Sequence, residues 1–149
     1  MKVYNILEKP NYLEEVLSLE LKEWGTYSEE NLVKKINKVK ELLKLDNFAK
    51  LILLDNDNLI GFISLFPIDG EYRRDLTPWY ATMYVKKEYR GKGYSKILND
   101  ALLNYAKEKG YEKIYLKSEL NNYYEKFGAI YLEDLPNKEK LYYIDLEKR

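Results

Sequence analysis

Apolar residues along the first half of this chain recur at two different periods. Leu13, Val16, Leu17, Leu21 and Trp24 fall at helical spacing between Pro10 and Gly25, which suit the start and stop of a first helix. The short apolar run at residues 2–7 before it has the character of a strand. A second helix is expected from Ser28 as N-cap to about Lys44, with Leu32, Ile36, Val39 and Leu43 on its buried stripe. The period then shortens. Residues 49–54 and 59–66 are apolar runs joined by Asp55-Asn56-Asp57-Asn58, the pattern of a hairpin.

A polar loop follows between Pro67 and Pro78, and residues 79–86 predict a third central strand. Residues 93–109 form a strongly amphipathic helix, expected to bury Ile97, Leu98, Ala101, Leu102, Tyr105 and Ala106 and to end at Gly110. A strand at 112–117, a short helical stretch at 121–126 stopping at Gly128, and strands at 129–133 and 141–146 complete the chain. The order βααβββαβαββ predicts one α/β (α+β) domain over residues 1–149. Its sheet should be mixed, mostly antiparallel, with helices on both faces.

Composition narrows the chemistry. The 149 residues carry 25 basic and 25 acidic side chains, a formal net charge of zero, so no basic excess points to nucleic acid. With no Cys, there is no disulfide, thiolate nucleophile or thiolate metal site; with no His, the commonest general base and metal ligand are missing too. The first 21 residues are studded with charge and lack the apolar core of a signal peptide, and no stretch approaches a membrane span. A cytoplasmic protein without membrane or metal is the expectation, and a homodimer is compatible with it.

The most informative segment runs from Tyr84 to Ser95, where a strand leaves through Arg90-Gly91-Lys92-Gly93 into a long helix. Two glycines allow positive φ and close backbone approach to a ligand. Successive N–H groups in such a turn, with the N-terminus of the following helix, make an anion site, and Arg90 and Lys92 add full charges. A pyrophosphate fits this arrangement. A Walker A loop does not, because Gly91-Lys92 is followed by Gly93; the third glycine of a dinucleotide fingerprint is missing as well.

Val85, followed at the fifth position by Arg90-Gly91-Lys92-Gly93-Tyr94-Ser95, resembles the acetyl-coenzyme A signature of the GCN5-related N-acetyltransferase (GNAT) superfamily. Tyr124-Glu125-Lys126-Phe127-Gly128 resembles a later segment of the same family, and the element order agrees along nearly the whole chain. Glu88 stands where the family commonly has Gln or Arg, and Ala129 where it commonly has an aromatic residue. The resemblance implies that Arg90, Gly91, Lys92, Gly93, Tyr94 and Ser95 hold the pyrophosphate of acetyl-CoA. It also implies that backbone groups of Met83, Tyr84 and Val85, on a bulged strand, meet the pantetheine arm and the thioester.

Tyr124 matches the family's general acid, and its spacing to Gly128 favours it over Tyr123. Candidate bases are the carboxylates Glu23, Glu71 and Asp75, among which the sequence does not choose. Trp24, Tyr27, Tyr72 and Trp79 are candidates to line an acceptor pocket, although aromatic residues more often fill cores. Without Cys, an acetyl-cysteine intermediate is impossible, so direct transfer in a ternary complex is expected, with a small-molecule amine as acceptor. The competing readings are a protein or peptide amine as acceptor, a GNAT-fold sensor that binds acyl-CoA without turnover, and a different nucleotide-binding protein.

Overall fold

The computed structural model describes residues 1–148. Seven strands, β1 (Lys2–Asn5), β2 (Ala49–Asp55), β3 (Asn58–Phe66), β4 (Trp79–Val85), β5 (Lys113–Ser118), β6 (Ala129–Asp134) and β7 (Lys140–Asp145), form one sheet in the order β1-β2-β3-β4-β5-β7-β6. Every neighbouring pair is antiparallel except β4 and β5. Helices α1 (Leu13–Trp24) and α2 (Glu29–Leu42) cover one face, and α3 (Tyr94–Glu108) covers the other.

Alternation along β2 explains the two cores. Ala49, Leu51 and Leu53 pack beneath α3 with Leu98, Leu102 and Ala106, while Ile52 and Leu54 pack beneath α1 and α2 with Val16, Leu17 and Val39. A strand buried on both sides reads as a continuous apolar run, which is how residues 51–54 appear in the sequence; Lys50 is the one charged residue before them in β2.

Several boundaries differ from expectation for local reasons. The first strand stops at Asn5, because Asn5 Oδ1 accepts from Leu7 N and Glu8 Oε1 accepts from Asn5 N; this reciprocal cap starts a 3-10 turn at Ile6–Glu8. Ser28 caps α2 as anticipated, its Oγ accepting from Asn31 N at 3.0 Å. On α3, Ile97 is exposed, and Leu103 and Asn99 are buried instead, because the buried stripe is centred on Leu98, Leu102 and Ala106. The short helical stretch after β5 is a 3-10 turn at Tyr124–Phe127.

The feature that shapes the molecule lies in β4. Its register against β3 passes from Ser64↔Ala81 to Phe62↔Tyr84, so Thr82 and Met83 together face the single residue Ile63. This bulge reverses the in-and-out alternation: Tyr80, Met83 and Val85 pack on the α3 side and Tyr84 on the α1–α2 side. On its other edge, β4 meets β5 only at Trp79↔Tyr115. Beyond that point the two strands part.

Gly61 sits against the far end of the bulge. A Cβ at Gly61 would collide with the carbonyl oxygen of Tyr84 and lie 3.1 Å from the Val85 Cα, both backbone atoms that cannot swing aside. Gly61→Ala is expected to destabilise the fold by about 1–3 kcal/mol, the usual cost of overpacking. Equilibrium urea unfolding should show a lower midpoint; an unchanged midpoint would mean that β3 and β4 have slack there.

Candidate functional site

The parting of β4 from β5 opens a cleft of about 720 Å³. Met83, Tyr84 and Val85 form one wall, and Tyr89, Arg90, Gly91, Gly93, Tyr94 and Ser95 form its end. Glu23 and Trp24 from α1 and Leu120, Tyr123 and Tyr124 from the segment after β5 complete the lining.

The glycine loop has the geometry its sequence suggests. Gly91 and Gly93 have φ of 78° and 82°, and a Cβ at either would meet nothing within 4 Å. These glycines are therefore demanded by backbone conformation and leave the surface open to close approach. Gly93 is the N-cap of α3, with no side-chain cap, so the first N–H groups of that 15-residue helix lack an internal partner and face the loop. Arg90 is tied down: its Nε donates to Val85 O at 2.8 Å and its guanidinium lies 5.5 Å from the centre of the Tyr84 ring. That ring stacks on Phe62 and meets Trp24 edge-on, joining the loop to the core and to α1. The residues present fit a pyrophosphate-bearing donor such as acetyl-CoA. Lys92 is exposed and does not line the cleft.

A second, smaller cavity of about 220 Å³ adjoins the first, and Trp24, Met83 and Tyr124 line both. Its other walls are Tyr80, Ala81, Thr82, Asp69 and Lys117. Tyr124 therefore stands at the junction. Burial pushes its phenol above the ordinary tyrosine range, with Tyr123 adding to the shift, so it stays protonated at neutral pH. Its ring packs edge-on against Tyr80, whose own hydroxyl is buried without a hydrogen-bond partner.

Asp69 is the carboxylate of this cavity. Burial raises its pKa above the usual carboxylate range; Lys117, with Nζ at 3.9 Å, pulls the other way, and Glu139 adds to the rise. Lys117 is also 3.8 Å from Glu139.

The structure corrects five acceptor-side expectations, the first being Tyr72, which packs partly buried against the Trp79 cluster and lines neither cavity. Trp79 is wholly buried among Leu135, Leu141 and Tyr115, with its indole N–H donating to Leu76 O at 2.8 Å; it is a core residue. Asp75 is exposed and held by Arg73 through two hydrogen bonds of 3.1 Å, away from both cavities. Glu71 is exposed and lines neither cavity, and Tyr27 lies under Lys22 outside both. Trp24 and Glu23 do line the larger cleft. The sequence does not single out Asp69 or Lys117, because nothing in a loop holding Asp69, Glu71 and Asp75 marks which carboxylate turns inward, and Ala81-Thr82-Met83 contains no glycine to announce a bulge.

Comparison with known proteins agrees with this geometry. The model of the acetyltransferase (GNAT) family matches residues 4–129. N-alpha-acetyltransferase 30 of Schizosaccharomyces pombe is 33% identical over 82 residues, a match that covers 52% of this chain and only 54% of that protein. An aminoglycoside 6'-N-acetyltransferase complexed with coenzyme A superposes with a TM-score of 0.75 at 17% identity, over 98% of this chain and 97% of the other. A spermidine N-acetyltransferase variant from Vibrio cholerae gives 0.73 at 20% identity, over 99% and 96%. With a family match over most of its length and a parted sheet ending in a glycine loop, the chain belongs to the acetyltransferase (GNAT) family.

Proposed function

We propose that this acetyltransferase moves the acetyl group of acetyl-CoA directly to a primary amine of a small molecule, within a ternary complex. The observation that carries this reading is the joining of two cavities at Tyr124, with a glycine loop suited to an anion at the far end of one and a half-buried carboxylate in the other. The pyrophosphate would rest on Gly91, Gly93 and the start of α3, with Tyr94 and Ser95 beside it and Arg90 supplying charge. Backbone groups of Met83–Val85 have no ladder partner in β5 and are available to the pantetheine arm and the thioester carbonyl.

An alkyl ammonium has a pKa near 10, so the acceptor must lose a proton before its nitrogen attacks the thioester carbon. Asp69 serves as the base, directly or through water; its raised pKa makes it a stronger base than an exposed carboxylate. The tetrahedral intermediate then collapses: the carbon–sulfur bond breaks, the Tyr124 hydroxyl protonates the departing thiolate, and the second proton lost by the nitrogen restores the phenol through water, leaving a neutral amide and free CoA thiol. No acetyl-cysteine forms in between, since the chain has no Cys.

The cavity around Asp69 suits a compact cationic amine, and the superposed aminoglycoside and spermidine enzymes support that class. The likeness to N-alpha-acetyltransferase 30 favours a second reading, a peptide α-amine as acceptor. A thiol-release assay over polyamines, aminoglycosides and short peptides separates the two, and acetyl-CoA binding without release across that panel would indicate a sensor.

Two substitutions test the roles. Tyr124→Phe should lower kcat by about 10²-fold while acetyl-CoA affinity measured by titration calorimetry stays close to the parent value; unchanged turnover would remove Tyr124 from the mechanism. Activity that needs ionised Asp69 must rise with pH through its pKa, so the acid limb of kcat/KM should lie above the usual carboxylate pKa of about 4. Asp69→Asn should abolish that limb and cut kcat/KM at neutral pH by about 10²-fold. A variant that keeps the parent pH profile would exclude Asp69 as the base.

A further inference from the structure

A chain of polar side chains, buried at Glu20, Lys50 and Ser64 and half-buried at its ends, runs from α2 to the bulge in β4. Lys50, on β2, is 1% exposed and lies on the face whose neighbours Phe48 and Ile52 are apolar. Its ammonium donates to Glu20 on α1 and, at 2.9 Å, to Ser64 Oγ on β3. Lys35 on α2 pairs with the second oxygen of Glu20 at 3.1 Å. Ser64, itself fully buried, accepts a further hydrogen bond from Thr82 Oγ1 at 2.7 Å. Burying an ion pair is seldom better for stability than packing apolar residues of the same volume. Stability alone therefore does not account for a lysine at this position.

The inner end of the chain explains it. Thr82 has φ of 39°, a left-handed backbone conformation that is strongly disfavoured for a β-branched residue. Such a conformation persists only where its surroundings hold it, and the Thr82 hydroxyl is held by Ser64, which is in turn fixed by Lys50. Thr82 and Met83 are the two bulged residues, and both line the cavity beside Tyr124.

We propose that Lys50 and Ser64 are positioning residues for acetyl transfer: through the Thr82 hydroxyl they hold the β4 bulge in the conformation that turns Met83 toward the donor cleft. This rests on the reading of that cleft as the donor site. Glu20 and Lys35 anchor the outer end, so α1 and α2 contribute to the geometry of the β4 bulge.

The test uses Ser64→Ala, Lys50→Met and the double variant Ser64→Ala/Thr82→Gly, since glycine adopts positive φ without a tether. Two quantities are measured: steady-state kcat and KM for acetyl-CoA with an accepted amine, and hydrogen exchange at the amide of Tyr84, the ladder partner of Phe62 next to the bulge, in the unliganded protein. Ser64→Ala and Lys50→Met should each lower kcat by about tenfold, less than the loss of a whole oxyanion donor, with KM within about threefold. Tyr84 exchange should quicken by about tenfold or more as the bulge loosens. Adding Thr82→Gly to Ser64→Ala should return kcat to within about threefold of the parent. A purely structural role would lower the melting temperature while leaving kcat and Tyr84 exchange in place, and glycine would restore nothing. Parent-like kcat and exchange in Ser64→Ala, or failure of the glycine rescue, overturns the proposal. If the parent protein does not bind acetyl-CoA, the donor-site reading fails on its own, and Tyr84 exchange still decides whether the tether holds the bulge.

Discussion

The site depends on one break in the sheet, the bulge between β3 and β4. Two residues of β4, Thr82 and Met83, occupy the space opposite one residue of β3, and β4 leaves β5 after one paired position. Without the bulge, Met83 would point to the α1–α2 side, and the strand would have no reason to part from its parallel neighbour. With it, a cleft lies between the strands, floored by main-chain groups and ended by the glycine loop. The two cores on either side of the sheet hold this break in place, and the surrounding structure offsets the backbone strain at Thr82.

The proposed donor and acceptor ends of the site are built from different materials. At the donor end the chemistry is main-chain: two left-handed glycines, an uncapped helix and unpaired groups of β4. Such groups bind a phosphate whatever the surrounding side chains are, which explains how one loop pattern serves a large family. At the acceptor end the chemistry is carried by side chains, with Asp69 and Lys117 on one side and Trp24 and Tyr124 on the other. Burial raises the pKa of both Asp69 and Tyr124, a direction that suits the base and acid roles proposed for them.

This division also decides what could be read in the sequence. The element order, the cap at Ser28 and the loop Arg90–Ser95 were legible, because periodicity, capping and glycine placement are local signals. The bulge was not legible from residue type, since Thr82 takes a glycine-like conformation through a contact with Ser64, 18 residues away. Trp79 was assigned to an acceptor pocket because an aromatic residue at the start of a strand gives no sign of which side it fills. Asp75 and Asp69 look alike in the sequence; Arg73 holds one at the surface, and the fold of the loop turns the other toward Lys117.

The central claim is that the gap between β4 and β5 is a donor site for a coenzyme A thioester. Backbone amide NMR during titration with acetyl-CoA tests it most directly. The predicted result is saturable shifts concentrated at Met83–Val85 and at Gly91–Ser95, with the Tyr124 segment following and ATP at equal concentration producing far less. Shifts confined to other surfaces, or an equal response to ATP, would contradict it.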